Sequence, residues 1–485
     1  MTDCPKGCAY QDCQFTGPET ELFQLDGEVW CHYHLPLRGR SGTESPKASY
    51  GLDDCKRFNA CVMDLIDQAS QREEKRAKRG EAQFPEANLR GVCFPGSFVI
   101  TSRQLPSIAF DGAMFRHGLH FIEVTFGSRV SFGSTLFQGD AELRRSCFRG
   151  GVAFTGARFE GKLDCSRSAF HSEASFRDCI FNANSDFSEV AFGLGASFYK
   201  AEFKRHAYFF RASFDGYVNF RDVKFHSTSS FLEAAFSREV YFNNALFAGS
   251  VSFACAGDAA RSQQVLPQAE FRGARFLAGA SFINRQFVAG ATFADCMFDV
   301  APEFHGCSIH QSTEFPGIES FRDTESSGAV RAYRTLKLSA ENSRAREEQA
   351  MFYALEQKSQ RATRQMSQLE MLLSFLYEKT ADYGRSCTLP LVWLVATQVS
   401  FFGVYLALAV AWKSEEITLQ LVYALCHFTV DQVLTPFRLW SMQSVLPSWF
   451  PTVDLSIRVI ATVQSLLSVV LIALFVLAVR WKFRR

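Results

Sequence analysis

The sequence predicts a four-sided β-solenoid followed by a helical neck and transmembrane α-helices. Three observations predict this order. Large apolar residues return at alternating steps of five and six from Phe110 to Phe253. After Phe321 the rhythm stops and helix-forming residues take over. Finally, Leu389 to Trp412 and Val459 to Val479 are runs of 24 and 21 residues with no charge.

Residues 1–50 hold Cys4, Cys8, Cys13, Cys31, His32 and His34. Cys8-x4-Cys13 and Cys31-x2-His34 are two ligand pairs at spacings close to those of structural zinc sites. So short and polar a segment needs a staple to order itself. The expected ligands are Cys8, Cys13, Cys31 and His34, with Cys4 and His32 as possible substitutes. Four protein ligands leave no open position, so the zinc expected is structural. Residues 51–83 are expected to cap the solenoid. They include a helix over 52–80 with Phe58, Cys61, Val62, Leu65 and Ile66 on one side, because a stacked array needs its open end covered.

The solenoid is expected over 84–321. Stepping by 22 residues, Phe110, Phe132, Phe154, Phe176, Phe198, Phe220 and Phe242 fall in one register. Three further registers run through Phe115, Phe121 and Phe126, and a fixed internal period marks stacked repeats. A small or β-branched residue sits two before most of these rings, as at Ala157, Ala201 and Ala212. Residues i and i−2 of extended chain point the same way, so each short face sends one large and one small side chain inward. Four faces close a square coil filled by stacked rings. Residues 254–270, with Gly257 and Pro267, break the rhythm and read as a loop inserted into one coil. Inward cysteines such as Cys165, Cys179, Cys296 and Cys307 read as small buried hydrophobes.

Runs such as Ala157-Arg158-Phe159, Ala201-Glu202-Phe203, Ala212-Ser213-Phe214 and Ala234-Ala235-Phe236 resemble the pentapeptide-repeat family in its Phe-rich variant. The resemblance implies a right-handed quadrilateral β-helix. Cys31-His32-Tyr33-His34-Leu35-Pro36 also resembles a small Cys/His knuckle at the start of some bacterial members. Some members bind topoisomerases through strongly acidic, DNA-like surfaces. Here sixteen Lys/Arg face fifteen Asp/Glu between 110 and 254, and the whole chain carries a net charge of +1. That balance argues against topoisomerase inhibition and against a nucleic-acid partner.

Residues 322–388 form the expected neck, rich in Ala, Glu, Lys, Arg, Gln and Leu, with an amphipathic row at Leu369, Leu372, Leu373 and Leu376. Such a neck would oligomerise the chain, lie along a bilayer, or pack on the solenoid's end. Residues 389–485 form the membrane domain, with spans at 389–412 and 459–479. Basic residues crowd both flanks of the span pair, which puts both ends in the cytoplasm. No apolar run follows Met1, and the fifteen cysteines are an odd number. Both fit a reducing compartment. The expected location is therefore a bacterial inner membrane, with the N-terminal region, solenoid and C-terminus cytoplasmic.

Between the spans, 417–437 is too short to cross and reads as a re-entrant segment. His427, Thr429, Asp431 and Thr435 are the pore candidates, although no Thr-Val-Gly-Tyr-Gly filter follows. No catalytic constellation stands out, and the reading is non-enzymatic. The leading expectation is a membrane-anchored binding or scaffolding surface for an unknown protein partner, with possible homo-oligomers. Its rival is an oligomeric channel with a pore from 417–480, gated by the solenoid.

Overall fold

The structure is a computed structural model that describes residues 8–11, 13, 22–79, 87–257, 264–413, 418–434 and 455–483. The chain separates into two compact units, 1–345 and 346–485. The boundary falls inside the expected neck.

Unit one is built around a β-solenoid of about nine turns. Its walls are four parallel sheets of seven, ten, ten and nine short strands. Residues 22 apart pair across successive coils, as Val130 with Val152 and Ala174 with Ala196. The rings stack inside as expected. Phe132 lies 4.7 Å from Phe154, and Phe198 lies 4.9 Å from Phe176 and 4.7 Å from Phe220, all stacked nearly parallel. All seven rings of the Phe110 register are fully buried. Dispersion and apolar burial are therefore collected along the whole axis, with edge-to-face contacts between neighbouring columns, such as Phe187 to Phe198 at 5.4 Å.

Two of the four corners per coil are tight turns closed by an i→i+3 bond, as from Ala113 N–H to Phe110 O at 2.9 Å. Their third position is left-handed. One corner column runs Gly112, Ser134, Gly156, Asp178, Lys200, and the other Glu123, Arg145, Arg167, Glu189, Arg211, Glu233. Left-handed backbone costs a non-glycine residue about 1–2 kcal/mol. Backbone bonds to the next coil hold these residues in place, as from Arg145 N–H to Ser166 O at 3.0 Å. Ion pairs along the column add to this, with Arg145 to Glu123 and Arg167 to Glu189 both at 3.3 Å.

The inward small positions do more than fill space. Thr135 Oγ1, Ser146 Oγ, Cys179 Sγ and Cys307 Sγ each donate to the backbone carbonyl 25 residues earlier, at 2.7–3.0 Å. A hydroxyl or thiol fits there because that carbonyl supplies its partner. Burial pushes the Cys179 and Cys307 thiols up, so they stay protonated.

At the insertion the coil spacing grows from 22 to 29 residues, with Val240 paired to Ala269 and Leu246 to Arg275. Phe253 still stacks on Phe282 at 5.1 Å. Residues 258–263 of the loop lie outside the described residues. Arg285 lies in the coil that follows this detour. Its fully buried guanidinium occupies a small-residue position. It donates to Phe253 O, to Ala234 O at 2.9 Å and to Phe231 O at 3.2 Å.

Helix α1 (Leu52–Ala77) covers the solenoid's first coil. Phe58 meets Phe94, an early ring of the ladder, edge to face at 5.8 Å. Asn59 Nδ2 donates to Ser97 O at 2.8 Å. Helix α2 (Ala329–Asn342) closes the other end, where buried Tyr333 meets Phe321 edge to face and donates to Asp323 O.

The neck is three helices, not one continuous segment. Arg344 (φ 59°) ends α2, and Arg364 (φ 55°) ends α3 (Arg346–Ala362). Each break carries a six-to-one helix-ending bond, Ala345 N–H to Ala340 O and Gln365 N–H to Gln360 O, both 2.9 Å. Unit two thus holds α3, α4 (Gln368–Ala381), α5 (Thr388–Lys413), α6 (Leu419–Leu434) and α7 (Leu455–Phe483). Lys358 and Arg361 of α3 both pair with Glu378 of α4. Residues 388–411 of α5 and 459–480 of α7 are long and apolar enough to cross a membrane. Only 11% and 17% of those stretches are buried in protein, unlike the core helix of a globule.

Candidate metal centre and membrane polar cluster

A hairpin delivers the third and fourth candidate ligands. Strands β1 (Leu22–Leu25) and β2 (Glu28–Cys31) pair antiparallel around Asp26-Gly27. Both turn residues have positive φ, 52° and 79°, as a two-residue hairpin turn requires. Cys31 ends β2, and a single turn returns to His34, closed by Leu35 N–H to Cys31 O at 2.9 Å. The segment with Cys8 and Cys13 lies against β2 through Ala9 N–H to Val29 O.

The structure brings together Cys8, Cys13, Cys31 and His34, with ligand atoms all within 4.8 Å of one another. Cys13 Sγ is 3.8 Å from Cys31 Sγ, and His34 Nδ1 is 3.2 Å from Cys31 Sγ and 3.9 Å from Cys8 Sγ. Zinc–sulfur bonds of about 2.3 Å in a tetrahedron put sulfurs about 3.8 Å apart and sulfur to nitrogen about 3.5 Å. The donor set therefore fits a tetrahedral ion. His34 Nε2 faces Arg90 O at 2.9 Å, which places its proton there and turns the Nδ1 lone pair on the thiols. Burial lowers the His34 pKa to about 4, so the ring is neutral at pH 7. Tyr10 stacks on that ring at 4.1 Å. Tyr10 fits there because Gly91 (φ +67°) has no Cβ, which would lie 2.2 Å from the Tyr10 ring.

Three thiolates around a divalent ion leave one negative charge. The fully buried Lys47 ammonium lies beside the cluster, donating to His32 O at 2.8 Å and Tyr33 O at 2.9 Å. Of the two substitutes, His32 turns away, with Nδ1 3.4 Å from Tyr50 Oη, and Cys4 lies outside the described residues.

In unit two, His427 Nδ1 lies 3.6 Å from Asp431 on the same helix. The Thr429 hydroxyl is buried and donates to Leu425 O at 2.7 Å, and Thr435 lies outside the described residues. A second polar group, not anticipated from sequence, ties the three helices. Tyr405 donates to Gln464 Oε1 at 2.8 Å, and Gln464 Nε2 donates to Gln398 Oε1 and to Thr429 O. Gln398 Nε2 in turn donates to Ser468 Oγ at 3.1 Å. Scanning for charge passes over glutamines, and two glutamines at compatible depths were the available signal.

The outer wall of the solenoid carries one further cluster. Arg177, Tyr199 and Arg221 follow each other at the coil period on one corner. Arg177 lies 5.1 Å from the Tyr199 ring, and Arg221 lies 4.1 Å from Tyr241.

Stacked coils, a filled aromatic axis and a Cys/His module at the first coil define a four-sided solenoid protein with a metal-binding candidate and two apolar helices. A family model described as pentapeptide repeats (nine copies) matches residues 110–158 and 209–254, and the solenoid is a pentapeptide-repeat solenoid. No curated protein and no solved structure matches the chain.

Proposed function

We propose that this protein is a membrane-anchored scaffold with no catalytic activity. Its rod lies on the cytoplasmic side of a bacterial inner membrane and offers an outer face to a protein partner. The observation that carries this reading is the Arg177–Tyr199–Arg221 corner column, with Tyr241 of the adjoining wall under Arg221. Arginine and tyrosine are enriched at protein interfaces, tyrosine for its large, rigid contact area and arginine for its planar guanidinium with several donors. The axis, by contrast, is closed by phenylalanine and passes nothing. The Cys/His centre is a structural zinc site that fixes the first coil, while α5 and α7 hold the rod to the bilayer.

Photo-crosslinkers at Tyr199 and Tyr241 of the full-length chain in membranes are expected to give a discrete adduct. Arg177→Ala with Arg221→Ala should remove it. Adducts that survive the double substitution unchanged would refute the assignment of this face. The rival, an oligomeric pore from 417–480 gated by the solenoid, draws on the short α6 helix and the His427–Asp431 pair. Ion flux from purified, reconstituted protein, lost in Asp431→Asn, would replace the scaffold with the channel.

A further inference from the structure

We infer that α4 is an in-plane membrane helix whose leucine row sinks into the boundary between headgroups and acyl chains. The inference rests on the membrane reading of α5 and α7. Leu369, Leu372, Leu373, Phe375 and Leu376 recur on one side of α4 and are 46–66% exposed. The opposite side faces protein, with Ser374 buried and Glu378 held by Lys358 and Arg361. The orientation is therefore set by the α3 contacts, and the leucine row is what remains outside.

The geometry says what covers that row. A capping box between Ser367 and Glu370 starts the helix firmly. At its other end Asp382, Tyr383 and Gly384 are all left-handed, with φ of 45°, 54° and 84°, and the chain turns there into α5. Trp393, in the second turn of α5, donates its indole N–H to Lys379 O at 2.8 Å. The end of α4 is thus fixed at the level where the span begins. Leu391, Val392 and Val395 of that span are themselves exposed, so apolar side chains face outward on both sides of the turn.

Tryptophan at a span's first turns marks the membrane interface. Arg385 pairs with Asp382 at 3.4 Å, while the Lys379 ammonium lies 5.7 Å from the Phe375 ring and is left to meet anionic headgroups.

The test places a photo-crosslinking phenylalanine analogue at Leu372, Leu376, Glu370 or Val395 of the full-length protein. Each variant is assembled in nanodiscs of phosphatidylcholine and phosphatidylglycerol. Leu372 and Leu376 are expected to give lipid adducts as abundant as Val395, and Glu370 about fivefold fewer. Lipid adducts at Leu372 and Leu376 no more abundant than at Glu370, with Val395 still labelled, would overturn the inference and leave the membrane anchor standing. Adducts between two protein chains at Leu372 would overturn it in favour of a self-association face. Loss of the Val395 adduct as well would remove the membrane reading itself.

Discussion

Phe198→Ala tests the physical basis of the rod. The ring is fully buried, sandwiched at 4.9 and 4.7 Å by Phe176 and Phe220, and met edge to face at 5.4 Å by Phe187 and Phe209. Removing a fully enclosed ring costs about 3–5 kcal/mol, because transfer energy is lost and a void remains. Here the void relaxes little, since its walls are rings and β-ladders fixed from both sides. A stacked array couples only nearest neighbours, so the loss is local in the first instance. Hydrogen exchange on unit one should show the coils carrying 176–220 opening more easily by about 3 kcal/mol. The coils near Phe115 should keep most of their protection. Phe198→Leu, which retains an apolar filling, should cost about half as much. A drop below about 1 kcal/mol for the alanine variant, or an even loss along the rod, would refute the ladder as the source of stability.

Three further outcomes are expected. Arg285→Ala should destabilise unit one by about 3 kcal/mol or more, since Ala234 O and Phe253 O lose their guanidinium donor and a void opens. A denaturation midpoint equal to wild type would contradict that. Cys31→Ser should abolish bound zinc, measured by elemental analysis, and the same release should occur in acid. The His34 pKa is depressed from 6.5 to about 4. In the metal-free protein the stability that neutral His34 contributes is therefore complete above pH 6.5 and lost as pH falls through about 4, and zinc retained by Cys31→Ser would exclude Cys31 as a ligand. Gln464→Leu should loosen the α5–α6–α7 cluster by about 1–2 kcal/mol in detergent, because Tyr405 loses its acceptor and Thr429 O a donor. An unchanged melting temperature would show the network to be dispensable.

The ladder was legible because its signal is redundant: each Phe is repeated at a fixed interval, and one Leu143 or Cys165 does not hide the column. The two long apolar helices were legible by length alone. Other features are local decisions made against a residue's own preference. Arg145, Arg167, Arg344 and Arg364 adopt left-handed backbone where glycine or asparagine would have announced it. The surrounding coil or helix end overrides their propensity, so the neck's two breaks leave no mark in the sequence. Asp26-Gly27 was a readable hairpin signal that the spacing of cysteines overshadowed. Arg285 stands two residues before Phe287, where the repeat calls for a small side chain, and its charge gave no sign that the guanidinium would be buried against three carbonyls.

The left-handed corners have a consequence for how such a rod can change length. The same turn follows the Phe110 and Phe121 registers, so the smallest unit that preserves corner chemistry is half a coil, eleven residues in sequence. Gain or loss of one such unit keeps every ring inside and every tight corner in place. Yet it turns all later decoration to the opposite flank, carrying the arginine and tyrosine edge around with it. Odd and even numbers of half-coils would therefore yield rods of nearly equal stability that face their surroundings on different sides.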